Sequence, residues 1–166
     1  FQGHKQSQFE GGIATPMIAH WPNGITVPGT FNRQRGHLVD FHATFRELAE
    51  VEYPEHYDPK TRQLSGQALG PARGISLVPS FTGKPRAEHE YFYQNFSNAK
   101  TALVRGDWKL VNFNKLYNLK RDRIESQELS TTSPETFEFM RSEFMRLDLE
   151  LNQGRAMKKI HSAKKK

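Results

Sequence analysis

Lys5 stands five residues ahead of Glu10-Gly11-Gly12, in the stretch HKQSQFEGGIATPM that runs from His4 to Met17. Several unusual choices coincide there: a base, an acid, paired glycines, then an apolar run. Elsewhere the residues able to do chemistry are sparse. Seven histidines are scattered without metal-ligand spacing. His37 and His42 are five apart and would not share a helix face at the three or four residues a metal pair needs. His20, inside an apolar run, reads as a satisfied structural histidine, and His56, His89 and His161 read as solvated. There is no Gly-rich phosphate loop, HExxH, nucleophile elbow or calcium loop. The chain has no cysteine, which excludes disulfides, thiolate metal sites and a cysteine nucleophile within these residues. Asn95-Phe96-Ser97 is a glycosylation sequon, a triplet that also arises by chance.

The elements that must hold these residues can be read in order. Ile13 to Trp21, between Gly11-Gly12 and Pro22-Asn23-Gly24, reads as a short strand buried on both faces, with Thr15-Pro16 making its first half irregular. Residues 22–36 read as loop. Leu38, Phe41, Phe45 and Leu48 recur at helical spacing and predict a helix with one apolar face, N-capped by Asp40 and ending before Tyr53-Pro54. Residues 55–73 lack periodicity and read as an extended surface loop. Residues 74–83 allow no more than one turn of regular structure.

The second half predicts antiparallel strands at residues 90–96, 101–105, 108–112 and 115–119. Gly106-Asp107 is a two-residue hairpin signal between the middle pair. A helix then begins, with Thr132 and Glu135 as a capping box or Ser133 as cap ahead of Pro134. Phe137, Met140, Phe144, Leu147 and Leu151 form its apolar stripe, expected to cover one face of the sheet.

Composition limits the partners. Six of the 24 bases lie beyond residue 152 with no acid among them, leaving 18 bases against 18 acids in the body. The net charge of +6 therefore belongs to a basic tail, expected to be disordered, and the body has no electrostatic footprint for nucleic acid. No apolar run approaches a membrane span. With 36% hydrophobic residues and a mean hydropathy of -0.76, any core is modest. The chain opens at Phe1-Gln2-Gly3 without methionine, which reads as part of something longer.

Five ordered segments resemble type I sulfatases, the arylsulfatase-like members of the alkaline-phosphatase-like superfamily. They are K-x4-EGG-IATPMIAHWPNGI, HLVDFHATFRELAEVEYP, GISLVPSFTGK, ALVRGDWKLV and KLYNLKRDRIESQELS with PETFEFM. Together they span about residues 5–150. Two departures stand out: Asn95 lies where related sequences often carry histidine, and Asn118 replaces an aspartate.

The resemblance implies the C-terminal portion of such an enzyme. Residues 1–83 would end a large α/β domain, 84–152 would form a small α+β subdomain with an antiparallel sheet and a packed helix, and 153–166 would be the tail. It implies that Lys5 contacts the substrate sulfate, a task suited to a compact ammonium with three donors. Glu10, Gly11 and Gly12 would shape the turn that aims it. His4 and His37 are further candidates on the substrate side, and Arg105, Asp107, Trp108 and Lys109 would build the hairpin and core. The implied cofactors are calcium and a formylglycine nucleophile made from Cys-x-Pro-x-Arg or Ser-x-Pro-x-Arg. Neither that motif nor the metal ligands occur here, so they are expected upstream of Phe1 and this chain alone is expected to be inactive. The implied partners are a sulfated small molecule or carbohydrate and the missing N-terminal part of the enzyme, in an exported location. A related phosphomonoester or phosphonate hydrolase, and a non-catalytic binding remnant, are the alternatives.

Overall fold

The computed structural model describes residues 1–97 and 100–163, with side chains described except at residue 97 and over 152–163. In chain order the elements are α1 (Glu10–Ile13), α2 (Leu38–Leu48), β1 (His56–Asp58), β2 (Gln63–Ala68), α3 (Val78–Phe81), β3 (Phe92–Ser97), β4 (Lys100–Arg105), β5 (Trp108–Val111), β6 (Lys115–Asn118) and α4 (Pro134–Ala163). They fall into two compact units, Phe1–Met17 with Glu90–Lys166, and Ile18–His89. This division cuts the chain differently from a boundary near residue 83, because the first seventeen residues pack with the C-terminal unit.

That unit is built on a four-stranded antiparallel meander in the order β3-β4-β5-β6. Arg105 pairs with Trp108 across Gly106-Asp107, and Gly106 supplies the positive φ of +56° that so tight a reversal requires. Alternation then sorts the side chains. Leu103, Leu110 and Leu116 are cross-strand partners on one face, fully buried against Met140, Phe144 and Leu147 of α4. Those three helical residues lie at spacings of four and three, the stripe the sequence predicts. Burying each such side chain contributes about 1.5–3 kcal/mol.

The opposite face carries Ala102, Val104, Lys109, Val111 and Tyr117, and it is buried too. Its cover comes from the N-terminal segment. Phe9 meets the Tyr117 ring edge-on at 6.4 Å, and Gln8 Nε2 donates to Asn112 Oδ1 at 3.0 Å. Helix α4 starts at Pro134, directly after Ser133, and its bounds run to Ala163. It thus continues through backbone expected as a disordered tail. The side chains of that stretch, His161 included, and residues 164–166 lie outside the described residues.

The strand expected over Ile13 to Trp21 does not form. One turn of helix occupies Glu10–Ile13, and the chain from Ala14 to Trp21 is neither helix nor strand. Pro16 donates no ladder bond, and none of the described strands pairs with this stretch. Met17, Ile18 and Trp21 are exposed, and so is His20, which is therefore no satisfied core histidine. All described strand pairs are antiparallel.

In the second unit, residues 55–73 are not plain loop. They hold the hairpin of β1 and β2, whose QLSGQA strand is exposed throughout and so carries no apolar alternation to read. Helix α2 forms as predicted, but its cap differs. His37 is the N-cap and Asp40 is the third residue of a capping box, its Oδ2 accepting from the His37 amide at 2.8 Å. The helix buries Asp40 and Thr44, while Leu38, Phe45 and Leu48 of the apolar stripe are exposed.

Candidate functional site

Lys5 lies at an exposed turn closed by the Ser7 amide donating to His4 O at 2.9 Å. Gln6 within it takes φ of +68°, uncommon for a residue with a side chain, and its carbonyl accepts from Lys100 Nζ at 3.4 Å. His4 is exposed beside Lys5. The turn rests on the paired glycines. A Cβ added at Gly12 would fall 2.2 Å from Ser7 O and 2.7 Å from His4 O, and one at Gly11 would fall 2.4 Å from Gln2 O. The backbone that approaches these glycines so closely is the chain's own, on both sides of Lys5. Further ties run from the Gly11 amide to Gln2 O at 2.7 Å and from the Phe9 amide to Ser7 Oγ at 3.2 Å.

Beneath the turn lies a buried charge cluster. Lys109, at the middle of β5, is fully buried, with its Nζ 2.7 Å from Glu10 Oε1 and 2.7 Å from Glu125 Oε1. Glu125 Oε2 accepts from the Glu10 backbone amide at 2.6 Å. The Glu125 carbonyl accepts from Gln2 Nε2. Two carboxylates on one ammonium leave this cluster with a formal charge of -1. Burial pushes the adjacent Tyr117 phenol above its ordinary 10.0, with the Glu125, Glu128 and Asp122 charges adding to it.

His37 belongs to the other unit. It is exposed, and its Nδ1 accepts from the Val39 amide at 3.3 Å. Its ring lies edge-on to His89 at 6.4 Å. His89 is not simply solvated: its Nε2 is 2.7 Å from Asp40 Oδ1. Asp40 is wholly buried and also receives the Ile75 amide at 2.9 Å and Arg86 Nη1 at 3.2 Å. Burial alone would push this carboxyl up; the Ile75 and His37 amides and the His89 ring outweigh it and hold it below the ordinary 3.8.

The N-terminal segment therefore brings His4, Lys5, Glu10, Gly11 and Gly12 together, and His37 has a helix-capping place of its own. Sequence reasoning missed the clustering of Lys109, Glu125 and Gln2. One signal was present: Lys109 sits between Trp108 and Leu110 in a strand whose neighbours are apolar on both faces. Asn95, the departure from the resembled pattern, donates to the Tyr93 hydroxyl at 3.2 Å and to Asp148 Oδ1 at 3.1 Å, joining the sheet to α4. Among the described residues no helix is long and apolar enough to cross a membrane.

No family model matches the chain. Curated proteins do. A "Sulfatase" of Formosa agariphila is 31% identical over 65 residues, 39% of this chain and 11% of the relative. The N-acetylgalactosamine-6-sulfatase of Sus scrofa is 31% identical over 105 residues, 63% of this chain and 17% of the relative. The steryl-sulfatase of Mus musculus is 29% identical over 106 residues, 63% of this chain and 15% of the relative. A solved structure described under the metabolism of multiple glycosaminoglycans by Bacteroides thetaiotaomicron aligns with a TM-score of 0.44 and 20% identity, covering 65% of this chain and 24% of the other. The chain thus spans no more than 17% of the length of these curated relatives. Over 63% of its own length it is similar to sulfatases, and the C-terminal sulfatase portion that its ordered segments resemble is the portion these relatives support.

Proposed function

We propose that this chain is the C-terminal part of an exported sulfuric ester hydrolase, in which Lys5 contacts the sulfate of a sulfated small molecule or carbohydrate. The observation that carries the reading is the Lys5 turn: an exposed ammonium on a tightly braced backbone, in a chain related to sulfatases. As the S–O bond breaks, negative charge grows on the bridging oxygen. A cation already held in place stabilises that charge without reorganising at the moment of reaction. Residues 1–83 would lie at the end of an alkaline-phosphatase-like α/β body.

The chain cannot supply the rest of the chemistry. Among the described residues no group of three or more His, Cys, Asp or Glu could hold a metal ion. Among the described residues none would hold calcium as a cluster, and the sequence has neither a cysteine nor a Ser-x-Pro-x-Arg from which a formylglycine could come. Both belong to the upstream part of the proposed enzyme. The test is turnover by the full-length enzyme carrying this chain, on an aryl sulfate and on the matching aryl phosphate. Preferred sulfate hydrolysis is expected. Preferred phosphate hydrolysis would turn the reading to a phosphomonoesterase, and turnover of neither would turn it to a non-catalytic remnant.

A further inference from the structure

We propose that Lys109 and Glu125 are positioning residues for Lys5, acting through Glu10; the inference rests on the sulfate-contact reading of Lys5. The physical path is continuous. Lys109 Nζ and Glu125 hold the side chain and the backbone amide of Glu10, at 2.7 and 2.6 Å. Glu10 opens α1, whose next two residues are Gly11 and Gly12. Those glycines are in close contact with the carbonyls of Gln2, Gly3, His4 and Ser7, which bracket Lys5. Gln2 closes the loop by donating to the Glu125 carbonyl. Lys5 is exposed and the three charges bond to one another, so its placement is set at its backbone.

The composition of the cluster fits positioning better than simple cohesion. A buried carboxylate pair sharing one lysine is a poor way to gain stability, since desolvation offsets much of the attraction. It is a good way to hold one backbone segment in a single register, because Glu10 is hydrogen-bonded at both its carboxylate and its amide. An apolar residue at position 109 would fill the face of the sheet as well but would leave α1 without its anchor.

The first experiment is amide hydrogen exchange on the whole chain with Glu10→Gln. This variant keeps shape and leaves Lys109 and Glu125 as a neutral pair. Exchange at Ser7, whose amide closes the Lys5 turn, should rise about tenfold, while Leu103 and Leu110 in the sheet stay unchanged. Unchanged exchange at Ser7 overturns the proposal. So does a parallel rise at Leu103 and Leu110, since the cluster would then serve only the fold. Glu125→Gln, which keeps Lys109 paired to Glu10, should repeat the pattern.

The second is a double-mutant cycle in the full-length enzyme. Glu10→Gln should lower kcat/KM about tenfold when Lys5 is present and have no effect in Lys5→Ala. Equal losses in both backgrounds overturn the proposal. Wild-type turnover in Lys5→Ala alone would remove the role of Lys5 while leaving the exchange result to decide the clamp.

Discussion

Lys109 and Glu10 are 99 residues apart in the chain and 2.7 Å apart in space, on a sheet face where Lys109 is the one buried lysine among the described residues. Lys109→Met would leave Glu10 and Glu125 buried without a cation. The expected cost is about 3–5 kcal/mol, the usual penalty for breaking a buried pair from one side. Glu10→Gln should cost far less, because one carboxylate still balances one ammonium. Urea midpoints of the two variants check the order, and equal costs would contradict the buried geometry.

Lys5→Ala should lower kcat/KM of the full-length enzyme by about two to three orders of magnitude, as for loss of one preorganised charge-stabilising donor. Lys5→Arg should restore only part of this, since a planar fork cannot place its charge where a compact ammonium sat. The melting temperature should hold in both, because Lys5 is exposed. Full turnover in Lys5→Ala removes the assignment.

Gly12→Ala should displace the Lys5 turn, because the added methyl would fall 2.2 Å from a backbone oxygen that cannot swing aside. Activity should fall with at most a modest loss of stability, of about 1–3 kcal/mol from overpacking. Gly70 has open space where a Cβ would go, so Gly70→Ala should change neither and serves as the control.

Asp40 gives the second unit an acid-sensitive point. Its folded carboxyl titrates below the ordinary 3.8, so the unfolded chain takes up the proton first as pH falls. The stability it contributes is complete well above 3.8 and is lost as pH drops through the lowered value. Asp40→Asn should cost about 2–4 kcal/mol near pH 7, since Arg86 loses its buried partner. That gap should narrow below pH 3.8 as wild-type Asp40 protonates. Urea titrations at pH 7 and pH 3 measure it, and a gap that widens in acid would contradict the sign.

The exposed stripe of α2 predicts self-association. Phe45 is 65% exposed and Leu38 is 78% exposed on one helix. A double Leu38→Ser, Phe45→Gln variant should reduce association in sedimentation at unchanged melting temperature. Identical sedimentation of variant and parent would show that the stripe makes no contact between copies.

What could be read from the sequence was local. The reversal at Gly106-Asp107 needs only a positive φ between two strand patterns, and the α4 stripe needs only a period of 3.6. The helix over Leu38–Leu48 was equally legible, but not which face it buries. That depended on Asp40 meeting Ile75, Arg86 and His89, partners 35 to 49 residues away that no local pattern announces. The apolar run after Gly12 forms no strand and leaves Met17, Ile18 and Trp21 exposed, because a strand exists only where another strand accepts its hydrogen bonds. Lys109 was legible as part of the hairpin and invisible as the partner of Glu10. The Lys5 turn was found through resemblance; its bracing by Gly11 and Gly12 is a matter of ångströms that residue types cannot give.

The first seventeen residues are joined to the rest of their unit only by way of Ile18–His89, yet what keeps them on the sheet is local and non-covalent. A tryptic nick after Lys60 or Arg62, in the exposed turn between β1 and β2, would sever the polypeptide and leave that attachment intact. The nicked molecule would run as two bands under denaturing conditions and as one particle in native buffer. Separating them would then require breaking the Glu10–Lys109 pair, together with the Asp40 bonds to Ile75 and Arg86 and the β1–β2 ladder, rather than another peptide bond.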